Sequence, residues 1–409
     1  EAGNVPPHGP KVSPGGTASP ASRTGSGLAV PPPLSLYVHW PWCVRKCPYC
    51  DFNSHESRQS IPEATYIDAL VADLESALPS IWGRRVSSIF IGGGTPSLMS
   101  PDAFDQLLTA IRTRVTLLPD AEVTLEANPG TAEAGRFKGY REAGANRLSL
   151  GIQSFDDAKL AALGRIHDSR EACRAIDIAM SCFENVNLDL MYALPGQTLQ
   201  QAGRDVDALV ACGTPHLSCY HLTLEPNTAF AQNPPQVPDP DPAADMQDMV
   251  EDKLGAAGYA HYETSAFARP GRQCHHNLNY WQFGDYLGIG AGAHGKLSAA
   301  NRIWREARQR HPATYMSKVF DAGAISESRE VGAGDLPFEF MMNALRLNDG
   351  FATRLFAERT GLPIDIIEPR LIDARDRGLI EANRESIRPT RVGQRFLNDL
   401  LQIFLRDDA

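Results

Sequence analysis

Cys43, Cys47 and Cys50 stand in a C-x-x-x-C-x-x-C spacing inside the stretch Tyr37-Val38-His39-Trp40-Pro41-Trp42-Cys43-Val44-Arg45-Lys46-Cys47-Pro48-Tyr49-Cys50-Asp51-Phe52. Three thiols on so short a loop can reach one small metal centre without a large closure entropy. A [4Fe–4S] cluster ordinarily takes four cysteines, so three leave one iron open to an outside ligand. A disulfide would consume two thiols, strand the third and need an oxidising compartment. A tetrahedral zinc site needs a fourth ligand, which His39 or His55 could supply. The C-x-x-C half alone suits a thioredoxin-like redox pair but leaves Cys43 unexplained. A cluster with an open iron uses all three.

Other residues with chemical potential follow at intervals. Gly92-Gly93-Gly94-Thr95-Pro96 exposes backbone N–H and C=O groups to whatever approaches. It is not the dinucleotide fingerprint, since Ser97 stands where the third glycine belongs. A tight strand-to-helix turn is the plain alternative. Glu126, Gln153, Asp189 and His221 come later, and taken singly the two carboxylates are ordinary solvated groups.

Position groups them. Apolar runs at 34–40, 86–91, 121–127, 147–153, 185–193 and 216–223 read as strands. Amphipathic stretches at 62–78, from Ser100-Pro101-Asp102, and around 132–143, 169–181 and 199–211 read as the helices between them. Such alternation predicts parallel βαβ units with right-handed crossovers, in either an open doubly wound sheet or a full or partial (β/α) barrel. In a barrel, chemistry collects at the C-terminal strand ends. The cysteine loop follows strand one and the glycine run ends strand two. Glu126, Gln153, Asp189 and His221 come at or near the ends of the next four strands. One shared rim is the expectation.

The rest of the chain bounds the function. Its 409 residues carry a net charge of −10, which argues against a partner bound by phosphate neutralisation, so no nucleic acid is expected. No apolar run approaches the roughly eighteen residues of a membrane span. Eight cysteines with one close-spaced set do not make a secreted disulfide framework, and a reducing cytoplasm suits an oxygen-sensitive cluster. Residues 1–33 are rich in Pro, Gly and Ser, lack a secretory apolar stretch, and are expected to form a disordered leader. Beyond Pro337 helices are expected at 338–345, 353–360, 364–377 and 392–405, with a hairpin from 378–381 to 387–390, a winged-helix-like order. Boundaries are expected at 34–270 for the cluster-bearing barrel, 271–335 for a barrel-closing segment and 336–409 for the C-terminal domain.

The cysteine stretch resembles the signature of the radical S-adenosylmethionine (SAM) superfamily. Together with Gly92–Pro96, Leu150-Gly151-Ile152-Gln153-Ser154-Phe155 and Asp189-Leu190-Met191-Tyr192-Ala193-Leu194-Pro195-Gly196, it resembles the oxygen-independent coproporphyrinogen III oxidase-like family. The resemblance implies a partial (β/α)6 barrel with a [4Fe–4S] cluster on Cys43, Cys47 and Cys50, whose open iron binds SAM for reductive cleavage to a 5′-deoxyadenosyl radical. It also implies SAM contacts at Tyr37, Tyr49, Gly93, Gly94, Thr95, Glu126, Gln153, Arg165 and Asp189, and an electron donor for the cluster.

Two features select the branch. The decarboxylating oxidase has a further cysteine two residues past the third, where this chain has Phe52. Cys274-His275-His276-Asn277-Leu278-Asn279-Tyr280-Trp281 contains H-N-x-x-Y-W, which resembles the motif of the haem-chaperone (HemW-type) branch. That branch implies haem as cargo, with His276, Asn277, Tyr280 and Trp281 as the candidate site and His275 and Cys274 as neighbouring candidate ligands. It also implies delivery to acceptor haemoproteins, membrane-associated ones included, and is compatible with a homodimer. Imidazole is a common axial ligand of haem iron and aromatic rings pack on porphyrin faces. A buried aromatic cluster with a hydrogen-bonded histidine is the alternative reading of the segment, and a porphyrinogen-decarboxylating enzyme the alternative function. The glycine-rich turn Leu287–Gly295 is expected to close the barrel wall against the cofactor or to be a packing turn.

Overall fold

The computed structural model describes residues 27–57, 60–131 and 134–405. Six strands and their helices alternate as the sequence predicts: β1 (Leu34–Trp40), α1 (Glu63–Ala77), β2 (Arg85–Gly93), α2 (Pro101–Arg114), β3 (Thr116–Ala127), α3 (Ala134–Ala143), β4 (Arg147–Gln153), α4 (Ser169–Cys182), β5 (Val186–Tyr192), α5 (Leu199–Ala211) and β6 (His216–His221). All five neighbouring pairs from β1 to β6 are parallel and lie in sequence order. A doubly wound sheet would reverse its order at a switch point. Winding in one direction puts every crossover helix on the same face, as in a barrel, and leaves the other face as a lumen.

Side-chain alternation follows from this. Leu36, Val38, Ile89, Ile91, Val123, Leu125, Leu148, Leu150, Leu188, Leu190 and Leu217 join the core under the helices. Their alternate neighbours are mostly polar: Ser35, Ser88, Glu122, Thr124, Glu126, Arg147, Ser149, Asn187, Asp189, His216 and Ser218 are all buried. The twofold repeat of a strand sends the two sets to opposite faces. The lumen is therefore lined by hydrogen-bonding groups in register: Thr124 sits beside Arg147, and Glu126, Ser149, Asn187 and His216 form the next row.

The sheet is larger than the sequence reading anticipated. After α6 (Pro240–Ala256), β7 (Ala260–Glu263) and β8 (Ala266–Ala268) extend it antiparallel beyond β6. After α7 (His275–Trp281), β9 (Asp285–Ile289) pairs parallel with β1, and β10 (His294–Ala299), β11 (Arg302–Arg308) and β12 (Ile325–Glu330) continue it antiparallel. The order is β12-β11-β10-β9-β1-β2-β3-β4-β5-β6-β8-β7.

The C-terminal part begins with α8 (Leu336–Ala344), followed by helices Arg354–Thr360 and Glu368–Asp376 and a small antiparallel sheet ordered 351–352, 386–389, 380–382. The helix expected over 364–377 divides into a 3-10 turn, Ile364–Ile367, and an α-helix with Pro369 near its start, where a missing N–H does no harm. The last helix also divides, at Phe396, whose φ −107° and ψ 42° leave the helical region. This part holds both edges of the large sheet. Glu339 of α8 accepts from Arg305 on β11 (2.7 Å) and Arg329 on β12 (2.9 Å). On the far edge Thr264 N–H donates to Arg346 C=O (3.1 Å) and Asn348 N–H to Tyr262 C=O (3.1 Å).

Most of the expected leader, residues 1–26, lies outside the described residues. Of the remainder, Leu28 donates its N–H to Ala300 C=O at 2.7 Å and packs against the C-terminal core. Among the described residues no helix is long and apolar enough to cross a membrane.

Candidate functional site

The cysteine loop is closed as a miniature sheet. Trp42–Cys43 pairs in parallel with His55–Glu56, with His55 N–H donating to Pro41 C=O (2.7 Å) and Ser57 N–H to Cys43 C=O (2.9 Å). Inside the loop Cys50 N–H donates to Cys47 C=O at 3.1 Å, and Lys46 Nζ to Phe52 C=O at 3.0 Å. None of the eight cysteines is in a disulfide, so the disulfide reading falls; Cys43 is buried, and Cys47 and Cys50 are half-buried. His39 is a poor fourth zinc ligand, since its ring nitrogens bond Tyr37 Oη (3.0 Å) and the Asn53 carbonyl (2.9 Å). Burial, with Cys47 beside it, pushes the Cys43 thiol up to about 11, so a bound metal must displace its proton.

The glycine run is fastened to this loop. Gly94 N–H donates to Trp40 C=O and Thr95 N–H to Trp42 C=O, both at 2.7 Å. A Cβ at Gly94 would lie 2.3 Å from the Trp42 carbonyl oxygen, so close backbone approach requires glycine there. Gly94 thus has the structural task that the strand-to-helix turn reading gives the run, and the same contact places the run at the cysteine loop. The Leu287–Gly295 turn packs on the same loop: Asn53 Nδ2 donates to Ala291 C=O (2.9 Å), and a Cβ at Gly292 would strike Asn53 at 2.3 Å.

A small cavity opens between the strand ends, lined by Gly94, Thr95, Glu126, Asn128, Ser149 and Asp189 among others. Gly93 borders it and donates its N–H to Glu126 Oε2 at 3.1 Å. Asp189 accepts from Asn187 Nδ2 (2.8 Å) and Ser149 Oγ (3.3 Å). Arg165 joins the cavity to the cysteine loop: Nη1 donates to Cys47 Sγ (3.7 Å) and Tyr49 Oη (3.4 Å), and Nη2 to Asn128 Oδ1 (2.6 Å) and Gly151 C=O (2.7 Å). Gln153 ends β4 with left-handed backbone, φ 70°, and is fully buried, yet neither amide atom has a partner. Tyr37 lies deeper on β1, with its ring stacked on Phe90.

Behind Gln153, Asp205 of α5 accepts from Ser154 Oγ (2.7 Å) and Phe155 N–H (2.8 Å), and Gln197 Nε2 reaches it at 3.4 Å. This brace, Asn128 and Ser149 were not singled out from sequence. Ser149 could have been found by counting back from Gln153 in steps of two; Asp205 sits on the buried face of an amphipathic helix, where nothing in the local pattern marks a carboxylate as engaged.

The residues fit the cofactors that the signature implies. Three thiols outside any disulfide share one loop, and a buried amide without a described partner ends β4. Among the described residues no three His, Cys, Asp or Glu side chains converge as a single ion would require. A four-iron cluster asks less, because each cysteine binds a different iron.

The H-N-x-x-Y-W segment forms α7. Glu122 of β3 caps its start, accepting from the N–H groups of His275 and His276, both at 3.2 Å, and from Cys274 Sγ at 3.4 Å. His276 is buried, with Nδ1 bonded to Ser88 Oγ (2.9 Å) and Nε2 to Tyr280 Oη (3.0 Å). Burial, aided by the charge of Arg147, lowers its pKa to about 3, so the ring is neutral. Tyr280 packs edge-on to Tyr286, Trp281 lies under the Arg346 guanidinium at 4.5 Å, and Asn277 is buried. The hydrogen-bonded histidine in an aromatic cluster is thus present. Metal binding at Nε2 would require the Tyr280 hydroxyl to give way. His275 is exposed, and burial pushes the Cys274 thiol up to about 12.

A one-way parallel sheet, a three-cysteine loop after its first strand and polar strand ends define a radical SAM protein. The model of the Radical SAM superfamily matches residues 37–209, and that of the HemN C-terminal domain matches residues 333–396. The chain is 48% identical to the heme chaperone HemW of Escherichia coli (strain K12), over 92% of this chain and 99% of that one. It is 47% identical to heme chaperone HemW of Haemophilus influenzae, with the same coverage. The chain belongs to the HemW family. Its fold is that of the E. coli coproporphyrinogen III oxidase HemN, described as a radical SAM enzyme, at a TM-score of 0.78 and 24% identity over 91% of this chain and 90% of that one.

Proposed function

We propose that this protein is a haem chaperone: it binds haem and delivers it to haemoproteins, and carries a [4Fe–4S] cluster on Cys43, Cys47 and Cys50 together with SAM. The observation that carries the reading is the near-full-length similarity to heme chaperones HemW, joined to an H-N-x-x-Y-W segment on a helix facing the lumen. A reduced cluster with SAM supplies one-electron chemistry. The chain's own residues bind, orient and exclude water. Arg165 links the cysteine loop to the cavity, the Gln153 amide offers an unused donor and acceptor, and Glu126 and Asp189 present carboxylate oxygens suited to an ammonium or to ribose hydroxyls.

We place the haem site at α7, where His276 would ligate the iron and Tyr280 and Trp281 would pack against the bound tetrapyrrole. The neutral imidazole suits iron, and exchange of its Tyr280 hydrogen bond for a metal bond is the local change required. Phe52, in place of the oxidase's additional cysteine, weighs against porphyrinogen decarboxylation. A reducing cytoplasm, an electron donor and acceptor haemoproteins complete the reading, and a homodimer is compatible with it.

The test is anaerobic cluster reconstitution followed by haem titration. Stoichiometric binding is expected, weakened at least tenfold by His276→Ala. Binding unchanged in that variant would remove His276 from the site, and no binding at all would remove the chaperone reading.

A further inference from the structure

Arg147 lies in β4 on the lumen face and is 2% exposed. No hydrogen bond or ion pair from a described residue reaches its guanidinium, and its Nε is fully enclosed. A buried cation without a partner is unfavourable, so its presence calls for a reason.

The acidic groups nearby are engaged elsewhere. Glu122 caps α7 and takes the Cys274 thiol, and Asp189 accepts from Asn187 and Ser149. Burial opposes the charge on Arg147, but nearby acidic groups, the carboxylates of Glu122 and Asp189 among them, outweigh it and raise its pKa. Beside Arg147 in register stands Thr124, fully buried, whose Oγ1 also lacks a partner. Two unused donors, one of them cationic, thus adjoin on the lumen wall one row below Glu126 and Ser149, which line the cavity. Arg165, the guanidinium at the cavity, is occupied by Asn128 and Gly151.

We propose that Arg147 and Thr124 form an anion subsite that holds a carboxylate of the lumen ligand, namely a propionate of a tetrapyrrole. A planar carboxylate matches a guanidinium fork plus one hydroxyl, whereas a phosphate would leave oxygens without donors. The tetrapyrrole source rests on the haem reading above. The charge of Arg147 also acts on His276, which places the anion subsite and the assigned iron ligand in one neighbourhood.

The test compares haem with haem dimethyl ester, whose propionates are capped, on the cluster-reconstituted full chain. A charge-assisted hydrogen bond predicts that haem binds roughly ten- to a hundred-fold more tightly than the ester. Arg147→Met should bring that ratio close to one by weakening haem alone, without lowering the melting temperature, and Arg147→Lys should restore part of it. Should Arg147→Met not fold, Thr124→Val and Arg147→Lys carry the comparison, each with a reduced ratio. A ratio near one in the unaltered protein overturns the subsite while leaving haem binding intact. An unchanged ratio in the variants, with lowered melting, overturns it in favour of a structural role. Binding of neither compound removes the haem reading and the tetrapyrrole assignment with it.

Discussion

At the residue scale, Gln153 and His276 mark opposite conditions of a buried polar group. The side-chain amide of Gln153 makes no hydrogen bond with a described residue, so it contributes little to folding and is available to a ligand. Gln153→Ala is therefore expected to leave thermal stability nearly unchanged and to weaken SAM binding by about 1–2 kcal/mol, measured by calorimetric titration of the reconstituted protein. Each of Cys43→Ser, Cys47→Ser and Cys50→Ser should sharply lower bound iron and sulfide, read by elemental analysis.

His276 is satisfied and neutral, with a pKa lowered from 6.5 to about 3. The unfolded chain binds this proton more readily than the native one, so stability is complete above pH 6.5 and declines as the pH falls towards 3. The contribution to the slope approaches ~1.4 kcal/mol per pH unit. Denaturant unfolding across that range should show a shallower slope in His276→Gln than in the unaltered chain.

At the element scale, the cysteine loop, the glycine run and the Leu287–Gly295 turn form one packed unit. Gly94→Ala forces a Cβ against the Trp42 carbonyl, and is expected to lower the melting temperature by several degrees and to impair cluster assembly, both measurable on the as-reconstituted variant. The six central strands and the helices between them were legible because their apolar residues repeat with the period of each element and because the glycine run and Ser100-Pro101-Asp102 punctuate them. β7 to β12 were not, since they are short and several, such as Ile325–Glu330 with its exposed and charged residues, owe their existence to pairing with the sheet rather than to local pattern. The candidate site was legible at its strand ends. The lumen wall was not, because Arg147 and Ser149 sit inside a run whose apolar half dominated the reading. Nor was the environment of His276, which depends on Ser88, a residue 188 positions away.

At the scale of the whole molecule, the C-terminal part acts as a clasp on the two edges of the large sheet. Glu339 is its buried carboxylate, serving Arg305 and Arg329 together. Glu339→Ala leaves the half-buried Arg305 with the Tyr286 hydroxyl as its remaining partner, and should cost about 1–3 kcal/mol of unfolding free energy, determined by urea denaturation. The clasp also sets Arg346 against Trp281, so its loosening should weaken haem binding in parallel.

The proposed role has this lumen carry haem and not decarboxylate a porphyrinogen. The most direct measurement loads the reconstituted protein with one equivalent of haem, mixes it anaerobically with an apo-haemoprotein, and follows the Soret band, while a parallel sample receives coproporphyrinogen III, SAM and a reductant. Transfer of haem to the acceptor and no release of carbon dioxide are expected. Carbon dioxide with protoporphyrinogen formation, and no transfer of haem, would contradict the proposed role.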